Sequence, residues 1–141
     1  MNQFSNDSMR QPIGVVEEKD LDGEITYSGN YGLELILDCH LCDKTAFTKK
    51  SIKKYFKKLV PLLKMQAGDQ YFQRFSEHIS TAIQFILTSN ITVHTDTSMK
   101  EDYKVFVNIF SCKDFDTGIA KTFTQEWFKA KLVGSHLIYR H

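Results

Sequence analysis

The residues that break regular structure are scarce: two prolines and seven glycines in 141 residues. That leaves few places for long irregular loops. Three cysteines cannot all pair within one chain, which excludes a fully paired disulfide framework. No apolar run approaches the roughly 20 residues of a membrane-spanning helix. The opening residues, MNQFSNDSMRQPIG, are polar and lack the apolar centre of a secretory signal. These absences predict a cytoplasmic protein in a reducing setting, with no membrane partner. An excess of one charge is missing too: 18 Lys+Arg face 17 Asp+Glu, a formal net charge of +1. Proteins that grip nucleic acid through its phosphates carry a clearer basic surplus, so no nucleic-acid partner is expected.

What is present is ordinary globular composition, 42% hydrophobic and 25% charged, with a generous 11 Phe and 6 Tyr. The length suits one domain with a modest core. Residues 1–29 read as a flexible leader. They are polar and carry the acidic stretch Glu17-Glu18-Lys19-Asp20-Leu21-Asp22-Gly23-Glu24, with no apolar repetition to offset ordering entropy. Residues 30–141 read as the domain.

From Gly32 to Cys39, Leu33, Leu35, Leu37 and Cys39 alternate with Glu34 and Asp38, the period of a strand. Residues 46–64 predict a helix from Phe47, Ile52, Tyr55, Phe56, Leu59, Val60 and Leu63, stopping at Gln66–Asp69. Strands are predicted over 79–87, 90–95 and 103–111, with a polar loop over 96–102. Asp116 or Thr117 caps a second helix to about residue 131, with Ile119, Phe123, Trp127 and Ala130 inward. A short strand over 135–140 closes the chain. This order predicts an α+β fold: a two-layer α/β sandwich with a largely antiparallel sheet and two helices on one face.

Several groupings invite chemical readings. Cys39-His40-Leu41-Cys42 is a CxxC, but no second ligand pair follows at zinc spacing, and Cys39 continues a strand rather than opening a helix. It reads as structural, with no metal. Lys49, Lys50, Lys53, Lys54, Lys57 and Lys58 form one helical stripe, read as a solvated face, with an anionic partner as the alternative. Ser89 stands between two strand patterns, five residues before His94, and lacks the glycine-rich elbow of hydrolases.

In order, these pieces resemble the small prokaryotic-type S-adenosylmethionine decarboxylases. Gly32 opens a strand reaching Asp38, followed by Cys42-Asp43. Phe72-Gln73-Arg74-Phe75 stands for the family's Phe-His-x-Phe, and Thr81 falls eight residues before Ser89, where the family has a second serine. Thr88-Ser89-Asn90-Ile91-Thr92-Val93-His94-Thr95 stands for Glu-Ser-His-[ILV]-[ST]-[IV]-His-Thr, and Asn108-Ile109-Phe110-Ser111-Cys112 for Asp-x-Phe-[ST]-Cys. The likeness covers residues 31–141. Thr88 departs from the family's Glu, Asn90 from its His, and Asp96-Thr97-Ser98 from Trp-Pro-Glu, with about three extra residues before the next strand.

The resemblance implies a self-processing proenzyme that makes spermidine precursors from S-adenosylmethionine. Cleavage falls between Thr88 and Ser89 and converts Ser89 to a pyruvoyl group, the cofactor, which forms a Schiff base with the substrate amine. By position His94 assists processing, Thr81 keeps the hydroxyl of the family's second processing serine, and Cys112 donates the proton to the substrate carbon. Phe75, Glu101 and Asp38 correspond to substrate-binding positions. The likeness also implies a homodimer or higher homo-oligomer with sheets facing one another, where Glu34, Asp38, Gln84 and Asn108 need partners. Two alternatives follow from the departures: an unprocessed, non-catalytic homologue acting as regulatory partner or metabolite binder, and a pyruvoyl decarboxylase of a basic amino acid such as arginine or ornithine, with Asp96 and Asp102 near the site.

Overall fold

The structure, a computed structural model, describes residues 31–141; the leader expected over 1–29, with its acidic stretch, lies outside the described residues. Eight elements follow in order: β1 (Gly32–His40), α1 (Lys49–Leu62), β2 (Ala67–Arg74), β3 (Ile79–Ile86), β4 (Ser89–Asp96), β5 (Lys104–Ser111), α2 (Thr117–Phe128) and β6 (Leu132–Arg140). The strands form one sheet in the order β2-β3-β4-β5-β1-β6, and every pair is antiparallel. Two helices pack against one face, so the fold is the α+β sandwich that the order of elements predicts.

Strand alternation decides which face is covered. Leu33, Leu35, Leu37 and Cys39 of β1, Ile91 and Val93 of β4, and Val105, Val107 and Ile109 of β5 are buried under the helices. Into that layer α1 sends Ile52, Tyr55, Phe56, Leu59 and Val60. The ring of Tyr55 lies 5.0 Å from that of Phe128 on α2, which joins the two helices over the sheet. Burial of each large aliphatic side chain contributes about 1.5–3 kcal/mol relative to exposure.

Four features depart from the sequence expectations. The predicted 46–64 helix is broken by Thr48, whose Oγ1 accepts from the Ser51 N–H and caps α1; residues Lys44–Phe47 before it form a 3-10 turn. The stretch expected to stop that helix instead opens β2, a largely exposed outer strand. On α2, Ile119 is exposed, and Ala120, Thr124 and Phe128 face inward. Thr124 is tolerated there because its hydroxyl pairs with Tyr55 at 2.7 Å. Finally, Gln84 lies on the helix side and not on the open face. Its buried Nε2 donates to the carbonyls of Gly68, Asp69 and Phe85.

Candidate functional site

The Thr88–Ser89 peptide sits at the tip of a two-residue hairpin: Ile86 of β3 pairs with Ser89 of β4, and only Leu87 and Thr88 lie between. Neither turn residue is the Gly, Asn or Asp that such tight turns favour. Neighbours fix the turn instead. The Leu87 N–H donates to the Gln66 carbonyl at 2.9 Å, and the Thr88 carbonyl accepts from the Cys112 N–H at 3.1 Å. The Thr88 and Ser111 hydroxyls meet at 2.8 Å. Gly32 makes this corner possible, since a Cβ there would fall 2.7 Å from the Ser111 carbonyl oxygen.

The corner holds a hydroxyl next to a polarised carbonyl. Ser89 is half-buried and pairs across the strands with Ser111. Its Oγ accepts from the Asn90 amide at 3.2 Å, so Asn90 orients the oxygen without being able to take its proton. The Cys112 N–H withdraws charge from the Thr88 carbonyl, as a donor aimed at a developing oxyanion does. Cys112 itself is exposed. A cavity of about 380 Å³ opens beside Thr88 and Ser111.

A second group lies toward the other end of the same strands. Thr81 and His94 face each other across β3 and β4, and Thr81 Oγ1 meets His94 Nδ1 at 2.9 Å. The His94 ring tilts against Phe106 at 6.2 Å. Asp38 stands in the same cross-strand row, opposite Phe106, with His136 Nε2 at 3.4 Å. Phe75, two-thirds exposed, begins the β2–β3 turn, and Glu101 is exposed in the β4–β5 connection. The predicted site residues therefore divide. Thr88, Ser89 and Cys112 meet at one end, while Thr81, His94, Asp38, Phe75 and Glu101 belong to the other. Ser89 and His94 are five strand positions apart, about 16 Å, and on alternate sides.

Sequence reasoning missed three contributors. Ser111 and the Cys112 backbone N–H hold Thr88 at the hairpin tip, yet a backbone donor leaves no signal in residue type. Phe106, the platform under His94, reads in sequence as one more strand aromatic. The remaining polar candidates are engaged locally. Asp96 accepts from the Ser98 N–H at 2.8 Å, and Asp102 accepts from the Leu41 N–H at 2.8 Å and meets His40 Nδ1 at 2.9 Å. Those hydrogen bonds hold both carboxyls below the usual range. Burial pushes the Cys39 and Cys42 thiols up to about 12, which leaves them protonated and inert. Among the described residues no cluster of three or more His, Cys, Asp or Glu could hold a metal. No helix there is long and apolar enough to cross a membrane.

Comparison with known proteins places this geometry. A solved structure, the adenosylmethionine decarboxylase from Aquifex aeolicus VF5, superposes with a TM-score of 0.67 over 80% of this chain and 92% of that one, at 16% identity. That likeness shows a shared fold. No curated protein matches the chain. The pattern of the S-adenosylmethionine decarboxylase family matches residues 33–141, which includes every strand but the first residue of β1. The chain belongs to the S-adenosylmethionine decarboxylase family.

Proposed function

We propose that the chain is a self-processing decarboxylase of S-adenosylmethionine in spermidine synthesis, cut between Thr88 and Ser89. The observation that carries this reading is the hairpin tip, where the Thr88 carbonyl is held by the Cys112 N–H beside the Ser89 hydroxyl. Ser89 Oγ attacks the Thr88 carbonyl carbon, and the peptide C–N bond gives way to an ester. Loss of the Ser89 Cα proton then breaks the Cβ–O bond and frees the Thr88 carboxylate. Addition of water and loss of ammonia leave a pyruvoyl group on the new terminus. That group supplies the electron sink for decarboxylation. Cys112, exposed next to the cut, is positioned to return a proton to the substrate carbon.

Among the described residues no basic side chain is hydrogen-bonded to Ser89 Oγ: its partner is the Asn90 amide, and His94 is about 16 Å along the strand. The open face presents half-buried Ile36, Ile83, Phe106, Phe110 and Ile138. A second copy laid across this face, running the opposite way, brings its own Thr81–His94 pair, Phe75 and Glu101 to the end of the sheet that holds the hairpin tip, and Ser89, whose register position is on the helix side, meets them around that tip. The functional unit in this reading is a homodimer with composite sites. In it, the Thr81 hydroxyl fixes the His94 ring, and His94 accepts the Ser89 proton.

The mass of the denatured protein tests the proposal. Cleavage after Thr88 yields fragments of 88 and 53 residues in place of 16.4 kDa, by proportion roughly 10 and 6 kDa, and the smaller begins with a blocked terminus. A chain that stays whole in an assembled dimer overturns it.

A further inference from the structure

Helix α1 carries six lysines and no carboxylate over Lys49–Leu62. None of them forms an ion pair among the described residues. Lys49, Lys50, Lys53, Lys54 and Lys57 line, with Gln70, a groove of about 760 Å³. Gln70 belongs to β2, the outermost strand, whose far edge pairs with no strand among the described residues. Gln70 pairs with Gln84 and so faces the helix side, and its Oε1 is buried without a hydrogen-bond partner. On the other side of β2, Tyr71 is exposed. Uncompensated cations, an open strand edge and a buried acceptor without a donor meet in one groove. An extended acidic segment answers all three, since it supplies carboxylates, backbone hydrogen bonds and an N–H.

The chain contains such a segment. If Glu17–Glu24 is extended, Glu18, Asp20, Asp22 and Glu24 fall on one side, about 6.7 Å apart. The lysine pairs 49/50, 53/54 and 57/58 recur every four residues, about 6 Å along the helix. The two spacings match over the two steps between the three lysine pairs. Leu21 falls on the opposite side of such a strand, as Tyr71 does on β2. The reach also fits. Tyr31 is tied to Arg140 at the start of β1, at the same end of the sheet as Ala67, where β2 begins. A position beyond β2 lies five strand spacings away, about 24 Å, and the seven residues from Glu24 to Tyr31, fully extended, span up to about 25 Å.

We infer that residues 17–24 dock in cis as a seventh strand on β2, antiparallel to it and beneath α1, with Glu18, Asp20 and Asp22 on the lysine stripe and a backbone N–H on Gln70 Oε1. This covers an otherwise open sheet edge and withholds it from pairing with other chains. Both partners precede Thr88, so the test reads the same whether or not the chain is cut there.

Zero-length carbodiimide cross-linking of the full chain, prepared as an equal mixture of light and ¹⁵N-labelled protein, tests the docking. The expected products join carboxylates of residues 18–24 to lysines of residues 49–58 and contain no mixed-isotope pairs. Hydrogen exchange is the second readout. The Glu18→Lys/Asp20→Lys/Asp22→Lys variant is expected to speed exchange of the Ala67–Arg74 amides by about tenfold or more, and added Lys53→Glu/Lys57→Glu to restore protection. Mixed-isotope cross-links assign the groove to a second copy and overturn the inference. So do exchange rates indifferent to charge reversal, or β2 protection that appears only when a nucleic acid is added.

Discussion

On the helix side of the sheet, Leu35, Leu37, Ile91, Val93, Val105 and Val107 are buried, and the polar groups among them are tied off, as with Ser80 to Thr95. On the other side the same strands present Glu34, Asp38, Asn90, His94, Phe106 and Asn108, all only half-buried. Asn108 Nδ2 and Arg140 both donate to Glu34, at 2.9 and 2.8 Å, and Arg140 lies over the Phe110 ring. Period-two alternation thus gives the sheet a dry face and a polar one, with Ser89, paired with Ser111, at the rim of the dry side. A substitution on one face should leave the other's property nearly unchanged.

The sharpest break in that comparison comes from Ser89 and His94. Ser89→Ala should abolish chain cleavage entirely. His94→Ala should slow it by about 10²–10⁴-fold, the range for removing a general base, and neither change should lower the melting temperature appreciably. Mixing the two variants as unfolded chains and refolding them together makes composite sites that pair one chain's intact Ser89 with the other's intact His94. Cleaved product should appear in the mixture, only from chains that carry His94→Ala. A mixture as inert as its parts would mean that each chain processes itself alone.

Adjacent β1 residues offer the next largest contrast. Leu37 points under the helices and is fully buried, whereas Ile36 points to the open face. Leu37→Ala should cost about 2–5 kcal/mol of unfolding free energy, since a cavity forms under packed helices. Ile36→Ala should cost well under half of that in the isolated monomer, yet weaken self-association, read by sedimentation across a dilution series. Equal losses of stability would refute the division of labour between faces. Smaller still is Tyr55→Phe, which keeps the ring among Phe123, Trp127 and Phe128 but removes the bond to Thr124. Denaturant unfolding should register about 1 kcal/mol or somewhat more, because the Thr124 hydroxyl is left buried and unpaired.

These contrasts show which parts of the molecule sequence reading can reach. Strands β1, β3, β4 and β5 were legible because one face must be dry, so apolar residues recur at every second position. Strand β2 was not: AGDQYFQR is an outer strand exposed along most of its length, so nothing forces a pattern on it. Thr124 and Gln84 escaped for a related reason. Each is polar and buried, and the partner that makes this tolerable, Tyr55 or the Gly68, Asp69 and Phe85 carbonyls, is remote in sequence or belongs to backbone. At the site, the order of Thr81, Ser89, His94 and Cys112 pointed to the family. Their separation into two ends did not show, because it depends on strand rise and pairing register.

The smallest expected effect concerns the end of the sheet away from Ser89, where Asp102 is held by its neighbours. The Leu41 N–H, then the His40 hydrogen bond, then the nearby charges of His40 and Lys104 lower its carboxyl from the model-peptide 3.8. The folded-state value is below the unfolded one, so ionised Asp102 contributes stability above the unfolded value, and that contribution fades as pH falls through the folded one. Asp102→Asn should therefore lower the melting temperature slightly at neutral pH. The gap to the parent protein should close once both are well below pH 3.8, as thermal unfolding across a pH series would register. The size should be modest, as for other exposed ion pairs, and should shrink in high salt. Cleavage at Thr88–Ser89 should be untouched if Asp102 serves only to fix the β1–α1 connection through Leu41. A cleavage or substrate defect that survives at a temperature where the variant is fully folded would instead draw Asp102 into the composite site beside Glu101.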